Sequence, residues 1–157
     1  SVDNSLTVLK SLWGLRLQDY DIHINFPGGV PVDGPSAGIG MLTAVASAVS
    51  QKAVANTVAM TGEVTIHGAV RAVGGIVPKI RAAREAGVEK VLLPKENWQD
   101  FLQEADGPKI VAVETIEEVL KAALLDQGEL LKSRPASPRE QAGLLGAAAK
   151  ITPGAIP

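Results

Sequence analysis

Two hydrophobic periods run along this chain, and the switches between them divide it into elements. In residues 1–17 the apolar side chains Val2, Leu6, Val8, Leu9, Leu12, Trp13 and Leu17 fall mostly on one face at helical spacing. That spacing predicts an amphipathic helix. Over residues 20–26 the period drops to two: Ile22, Ile24 and Phe26 face one way, and Asp21, His23 and Asn25 the other, as in a half-buried strand. Residues 27–35 hold three Pro and three Gly and read as a loop. From Ser36 to about Ser50 the chain is nearly uncharged and built from Ala, Ile, Leu, Val and Met. Its length favours helix over strand, and its uniform apolarity predicts burial on most sides.

Shorter elements follow. Residues 57–61 read as a buried strand, and residues 64–66 and 69–71 flank His67-Gly68 as the arms of a hairpin. Gly74-Gly75 breaks the chain before a helix over about residues 76–86, which stops at Gly87. Val91-Leu92-Leu93 is a strand closed by Pro94, residues 97–104 suggest a short helix, and residues 110–113 a further strand. Thr115 followed by Glu118 is a capping-box signature for a helix reaching about Leu125. This order predicts an α/β (α+β) fold, a mixed sheet with packed helices, in one domain over residues 1–125. Residues 126–157 are expected to be a C-terminal extension, flexible or weakly helical, because from residue 133 Pro, Ala, Gly and Ser dominate without a persistent period.

Composition narrows the chemistry. Only 3% of the residues are aromatic, so the core must be aliphatic. Cysteine is absent, which excludes disulfides, thiolate metal sites and a cysteine nucleophile. Two histidines, His23 and His67, are too few for most histidine-based zinc sites, and no metal is expected. A net charge of −2 without a basic run argues against nucleic acid as a partner. No uninterrupted apolar run reaches the ~18–20 residues of a membrane span. No signal-peptide pattern is apparent, so a cytoplasmic location is expected. The chain begins with Ser1 rather than Met, and a piece of something larger is expected.

Candidate chemistry centres on Val32-Asp33-Gly34-Pro35-Ser36-Ala37-Gly38. Pro35 suits the first turn of a helix, where its missing N–H is not needed. Ser36 then lies where free backbone N–H groups, its own and that of Ala37, could stabilise an oxyanion. Taken alone, a serine starting a helix is the commoner meaning of this pattern. Asp33 could cap the helix or orient groups beside the serine. A serine nucleophile needs a base. His23 is the obvious candidate but sits on a strand upstream; His67 sits in a tight turn.

Lys79 is the better candidate. It falls near the N-terminus of the helix after Gly74-Gly75, where the macrodipole disfavours a positive charge. Burial against Ile76, Val77 and Ile80 would make the neutral amine of a general base still more accessible. A solvated surface lysine is the plain alternative. Thr61 could hydrogen-bond such a lysine, or be an ordinary strand residue. No phosphate-binding loop is present, because no G-K-[ST] follows the glycines.

Together these stretches resemble the proteolytic domain of the ATP-dependent Lon proteases. The match is carried by Asp21-Ile22-His23-Ile24, Asp33-Gly34-Pro35-Ser36-Ala37-Gly38, Ala59-Met60-Thr61-Gly62-Glu63, and Val73-Gly74-Gly75 running into Lys79. Val91-Leu92-Leu93-Pro94 with Glu96-Asn97, and Ile116-Glu117-Glu118-Val119-Leu120, also fit. The Ile76-Val77-Pro78-Lys79 form is similar to the sporulation-type and LonB-like members. The resemblance implies a serine endopeptidase with a Ser-Lys dyad, Ser36 as nucleophile and Lys79 as base, acting through an acyl-enzyme. It further implies supporting positions for Thr61, Asp33 and His23. Asn25 stands where many members carry a second histidine, which touches only an accessory role. Unfolded or damaged polypeptides are the implied substrates, and a homo-hexamer with an AAA+ ATPase module in cis the implied assembly. ATP and Mg would be needed only by that module, which, like the family's upstream strands, is expected to lie outside these 157 residues. The alternative is a non-proteolytic, ring-forming scaffold domain like that of the DNA-repair ATPase RadA, against which the presence of both Ser36 and Lys79 speaks.

Overall fold

The structure, a computed structural model, describes residues 2–14, 19–26, 34–102, 106–125 and 150–153. Its centre is a three-stranded parallel sheet in the order β2 (Val58–Met60), β5 (Lys90–Pro94), β6 (Lys109–Val113). Between β2 and β5 the chain forms an antiparallel hairpin, β3 (Glu63–Val64) and β4 (Val70–Arg71), and then the crossover helix α3 (Ile76–Glu85). Helices α1 (Val2–Trp13), α2 (Gly38–Ser50) and α4 (Ile116–Ala123) complete the helical set among the described residues. A second antiparallel pair joins β1 (Tyr20–His23) to β7 (Lys150–Pro153). The fold is thus α/β with both parallel and antiparallel pairing, distributed over three small sheets among the described residues.

The alternation of side chains along β5 explains the layering. Leu92 packs into a large cluster with Val8 and Leu9 of α1, Ile39, Leu42 and Val45 of α2, and Val119 of α4. Its neighbours Val91 and Leu93 point the other way, into a smaller cluster with Ala83 of α3, Leu102 and Ile110. A strand buried on both faces reads as a continuous apolar run, which is how Val91-Leu92-Leu93 looks in sequence. Complete burial of a side chain such as Leu92 contributes about 1.5–3 kcal/mol, so β5 is the element the rest is fixed to. No aromatic side chain is fully buried among the described residues, and the core is aliphatic as the composition requires.

Most predicted elements form, with four differences. The first helix stops at Trp13, because Gly14 takes a left-handed φ of 62° and breaks the hydrogen-bond ladder. Regular pairing in the second element ends at His23, and Phe26 is 43% exposed rather than aligned with Ile22 on a buried face. In place of a helix over residues 97–104 the chain makes two 3-10 turns, Lys95–Asn97 and Asp100–Leu102. Side-chain bonds by Glu96 and Asn97 to a neighbouring segment hold the first of these in place. Finally, residues 150–153 form β7 in a segment expected to be flexible or weakly helical; strand β1 offers them an open edge, with Ile22 opposite Ile151. The rest of that extension lies outside the described residues. The capping box forms as expected: Thr115 Oγ1 accepts from the Glu118 N–H at 3.4 Å, and the Glu118 carboxylate accepts from the Thr115 N–H at 3.4 Å.

Candidate active site

Ser36 occupies a 3-10 turn, Pro35–Ala37, that leads directly into α2. Gly34 precedes it at φ 89°, which turns the chain into the helix, and Pro35 supplies the first residue of the turn. Gly38, just beyond the turn, is buried. The turn is fastened to the sheet by its backbone. The Ser36 carbonyl accepts from the Gly62 N–H at 2.9 Å and from the Thr61 hydroxyl at 3.2 Å. Ile39 donates its N–H to the Gly62 carbonyl at 3.2 Å. This approach is so close that a Cβ on Gly38 would lie 3.0 Å from the Val64 backbone nitrogen. The N–H groups of Ser36 and Ala37 fall in the opening turn, where helical donors lack partners in a preceding turn.

Lys79 comes from the opposite direction. It lies in the first turns of α3, where its N–H donates to the Gly75 carbonyl at 3.2 Å. Gly75 is the N-cap and has left-handed angles, φ 68° and ψ 34°. Pro78 fits one residue earlier, because the first four N–H groups of a helix have no intrahelical acceptor. The Lys79 Nζ donates to Thr61 Oγ1 at 3.0 Å, in a partly buried setting.

Thr61 therefore stands between the two. It is 8% exposed, just past the end of β2, and its N–H donates to the Leu92 carbonyl of β5 at 3.0 Å. Its single hydroxyl proton goes to the Ser36 carbonyl, so towards Lys79 it can act only as an acceptor. An amine that gives one N–H to Thr61 keeps its remaining valences for a neighbouring hydroxyl. Among the described residues Lys79 bonds Thr61 rather than the Ser36 hydroxyl itself. All three residues stand out in the sequence, and one continuous chain of hydrogen bonds unites them.

The other expected positions are less central. His23 is exposed on β1, opposite Lys150 of β7, and His67 is exposed in the hairpin turn. Asp33 lies outside the described residues. No group of three or more His, Asp or Glu side chains converges as a metal site would, among the described residues. Nor is any described helix long and apolar enough to cross a membrane.

One further group lies beside the site. Glu96 and Asn97 reach across to the strand exit that leads to Lys79. The Glu96 carboxylate accepts from the Ala72 N–H at 3.0 Å and pairs with the Arg71 guanidinium. The Ala72 N–H first, and Arg71 second, hold its pKa below the ordinary 4.5, against a small opposing effect of burial. Asn97 accepts from the Val73 N–H at 2.8 Å and donates to the Val73 carbonyl at 3.0 Å. In the sequence the Glu-Asn pair after the strand-ending proline belongs to the family resemblance, but nothing there announces its contacts with Ala72 and Val73.

Comparison with known proteins decides the family. Residues 11–126 match the model of the Lon protease (S16) C-terminal proteolytic domain. The chain belongs to this family. It is 52% identical to Lon protease 2 of Bacillus subtilis (strain 168) over 126 residues, which cover 80% of this chain and 23% of that relative. It is 50% identical to the Lon protease of Clostridioides difficile (strain 630) over 114 residues, 69% of this chain and 14% of that relative. With the Lon protease of Methanosarcina barkeri (strain Fusaro / DSM 804) identity is 50% over 109 residues, 66% and 14% of the two chains. The chain thus spans a quarter or less of the length of these curated relatives. What it contains is a Lon-type proteolytic domain, and so a serine peptidase.

Proposed function

We propose that Ser36 and Lys79 form the catalytic dyad of this Lon-type domain, with Thr61 holding the lysine. The observation that carries the reading is the chain of bonds from Lys79 Nζ to Thr61 Oγ1, at 3.0 Å, and on to the Ser36 carbonyl, at 3.2 Å. It ties the amine to the backbone of the nucleophile itself. In the first step neutral Lys79 takes the Ser36 hydroxyl proton as Oγ attacks the scissile carbonyl carbon. The carbonyl π pair moves to oxygen, and the N–H groups of Ser36 and Ala37 stabilise the resulting oxyanion. The tetrahedral adduct collapses, the C–N bond breaks, and Lys79 returns its proton to the departing amine. Water then attacks the Ser36 ester with Lys79 again as base, which releases the carboxylic acid and restores the hydroxyl.

In the full-length protein this domain would act within a homo-hexamer, fed with unfolded or damaged polypeptide by an AAA+ ATPase module in cis. ATP and Mg would serve that module alone, since the peptide chemistry uses neither. Asp33 and His23 would take supporting parts, and the cytoplasm is the compartment we assign. The test is hydrolysis of a fluorogenic peptide by the chain and by Ser36→Ala and Lys79→Ala. Each change is expected to lower kcat by roughly 10³-fold or more, and the double variant little further, because a nucleophile and its base act as a unit. Near-normal turnover by either single variant would refute the dyad.

A further inference from the structure

We propose that Asn97 is a positioning residue for Lys79: by pairing with both polar groups of the Val73 backbone it fixes the approach to α3, and thereby the place of the amine. The inference rests on the reading of Lys79 as the base.

The geometry around Val73 is the starting point. The Asn97 carboxamide accepts from the Val73 N–H at 2.8 Å and donates to the Val73 carbonyl at 3.0 Å. A neighbouring strand would hold a residue by the same two bonds, one given and one received. Here one side chain supplies both. Val73 and Asn97 are half-buried, so the pair is sheltered from competing water. Glu96 extends the grip backwards by binding the Ala72 N–H and the Arg71 side chain. Three successive residues are held as the chain leaves β4 for α3.

Beyond Val73 the hold ends. Gly74 and Gly75 are exposed, and nothing lies within 4 Å of where a Cβ on Gly74 would be. Packing does not restrain this link, and glycine has the largest conformational freedom of any residue. The Asn97–Val73 pair is therefore the last fixed point before the helix that carries Lys79.

The other end of Asn97 is equally informative. It sits in the 3-10 turn that continues β5, the central strand. The same strand fixes Thr61, through the Leu92 carbonyl at 3.0 Å. One rigid segment thus locates the acceptor of the lysine's hydrogen bond by its backbone and the approach of the lysine's helix by a side chain. Without Asn97, Thr61 stays in place, while the start of α3, joined to β4 through two unpacked glycines, keeps only the packing of Ile76 and Ile80 against the smaller cluster. The amine, at the end of a four-carbon stem, then drifts relative to Ser36. A misplacement of about 1 Å can cost on the order of 100-fold in rate.

The experiment compares the full chain with Asn97→Ala, Asn97→Asp, Gly74→Ala and Asn97→Ala/Gly74→Ala, with Lys79→Ala as reference. Peptide hydrolysis and the rate of Ser36 modification by a fluorophosphonate are measured on folded protein, after thermal unfolding has shown the folded fraction. Asn97→Ala is expected to lower kcat roughly 10- to 100-fold with KM within about twofold. Asn97→Asp keeps the bond from the Val73 N–H and loses the one to its carbonyl, so it should fall in between. Gly74→Ala alone should leave kcat near wild type, and in the Asn97→Ala background it should restore part of the loss by stiffening the link. A residue serving only stability would lower the melting temperature without this kcat loss or rescue. If Lys79→Ala abolishes turnover while folded Asn97→Ala matches wild type in kcat, positioning by Asn97 is overturned and the dyad stands. If Lys79→Ala itself turns over normally, the dyad reading fails and the inference falls with it.

Discussion

The two halves of the candidate site are built by different means. On the Ser36 side the backbone does the holding: the turn is bonded through its own carbonyl and through Gly62, and Gly38 sits so close to β3 that no side chain fits. The residue after that glycine, Ile39, is fully buried in the main core. On the Lys79 side the holding is done by side chains, Asn97 and Glu96, across a partly exposed surface and next to two unpacked glycines. The first half is coupled to the stability of the whole domain. The second can be loosened while the core remains intact. Changes near Ser36 should therefore unfold the protein as readily as they inactivate it, whereas changes around the α3 approach should separate rate from stability.

The sharpest way to break this contrast is Gly38→Ala. The new methyl would lie 3.0 Å from the Val64 nitrogen and 3.3 Å from the Gly62 oxygen, both of them backbone atoms that cannot swing away. Overpacking of this kind costs about 1–3 kcal/mol, and urea denaturation should show a loss in that range. Activity should fall with it, because the Gly62 and Thr61 bonds to the Ser36 carbonyl must spread to admit the methyl. An unchanged urea midpoint would mean that the Ser36 side is no more tightly built than the other.

A smaller effect is expected on the Lys79 side, and it depends on conformation rather than room. Gly75 has φ 68° and no close neighbour; the nearest atom to an added methyl would be Pro78 Cγ, at 3.9 Å. Gly75→Ala should cost about 1–2 kcal/mol from the left-handed backbone alone. At the adjacent Gly74 neither packing nor a positive φ opposes a side chain, and Gly74→Ala should be neutral or stabilise by about 0.4–1 kcal/mol. Equal losses at both positions, measured by urea unfolding, would contradict the assignment of Gly75 as the conformationally demanding residue.

The same difference explains what could be read from the sequence. Elements carried by local patterns were legible: the apolar run of α2, the Gly-bounded α3, the Thr115–Glu118 box and the Val91-Leu92-Leu93 strand all recur in the fold. Ser36, Thr61 and Lys79 each lie at an element boundary marked by Gly or Pro, but that local pattern left plainer readings open, and the family resemblance singled them out. The Asn97–Val73 pairing was not. It joins residues 24 positions apart, and neither residue has a local requirement that announces the other. It is made from the 3-10 turn Lys95–Asn97, which stands where the short helix expected over residues 97–104 would begin. The β1–β7 pairing was hidden for a similar reason: strand pairing over such a separation depends on an open edge, which no local period encodes.

The smallest predicted effect concerns Glu96 and acid. Its carboxylate is preferred in the folded protein, first through the Ala72 N–H and then through Arg71, so its folded pKa lies below the ordinary 4.5. The sign follows from linkage. A depressed carboxylate contributes stability that is fully present above its unfolded value and is lost as the pH falls through the folded one. Glu96→Gln retains an oxygen acceptor for the Ala72 N–H but has no charge to respond to pH. The difference in urea midpoint between the chain and Glu96→Gln should therefore be constant from neutral pH down to about the unfolded value and shrink below it. The magnitude should be slight, because both partners of the Arg71 pair are about half exposed, at 58% and 47%, and exposed ion pairs are screened by water. A difference that persists unchanged into strong acid would show that the charge of Glu96 does not hold the strand exit, and would leave the hold on that approach to the uncharged Asn97 alone.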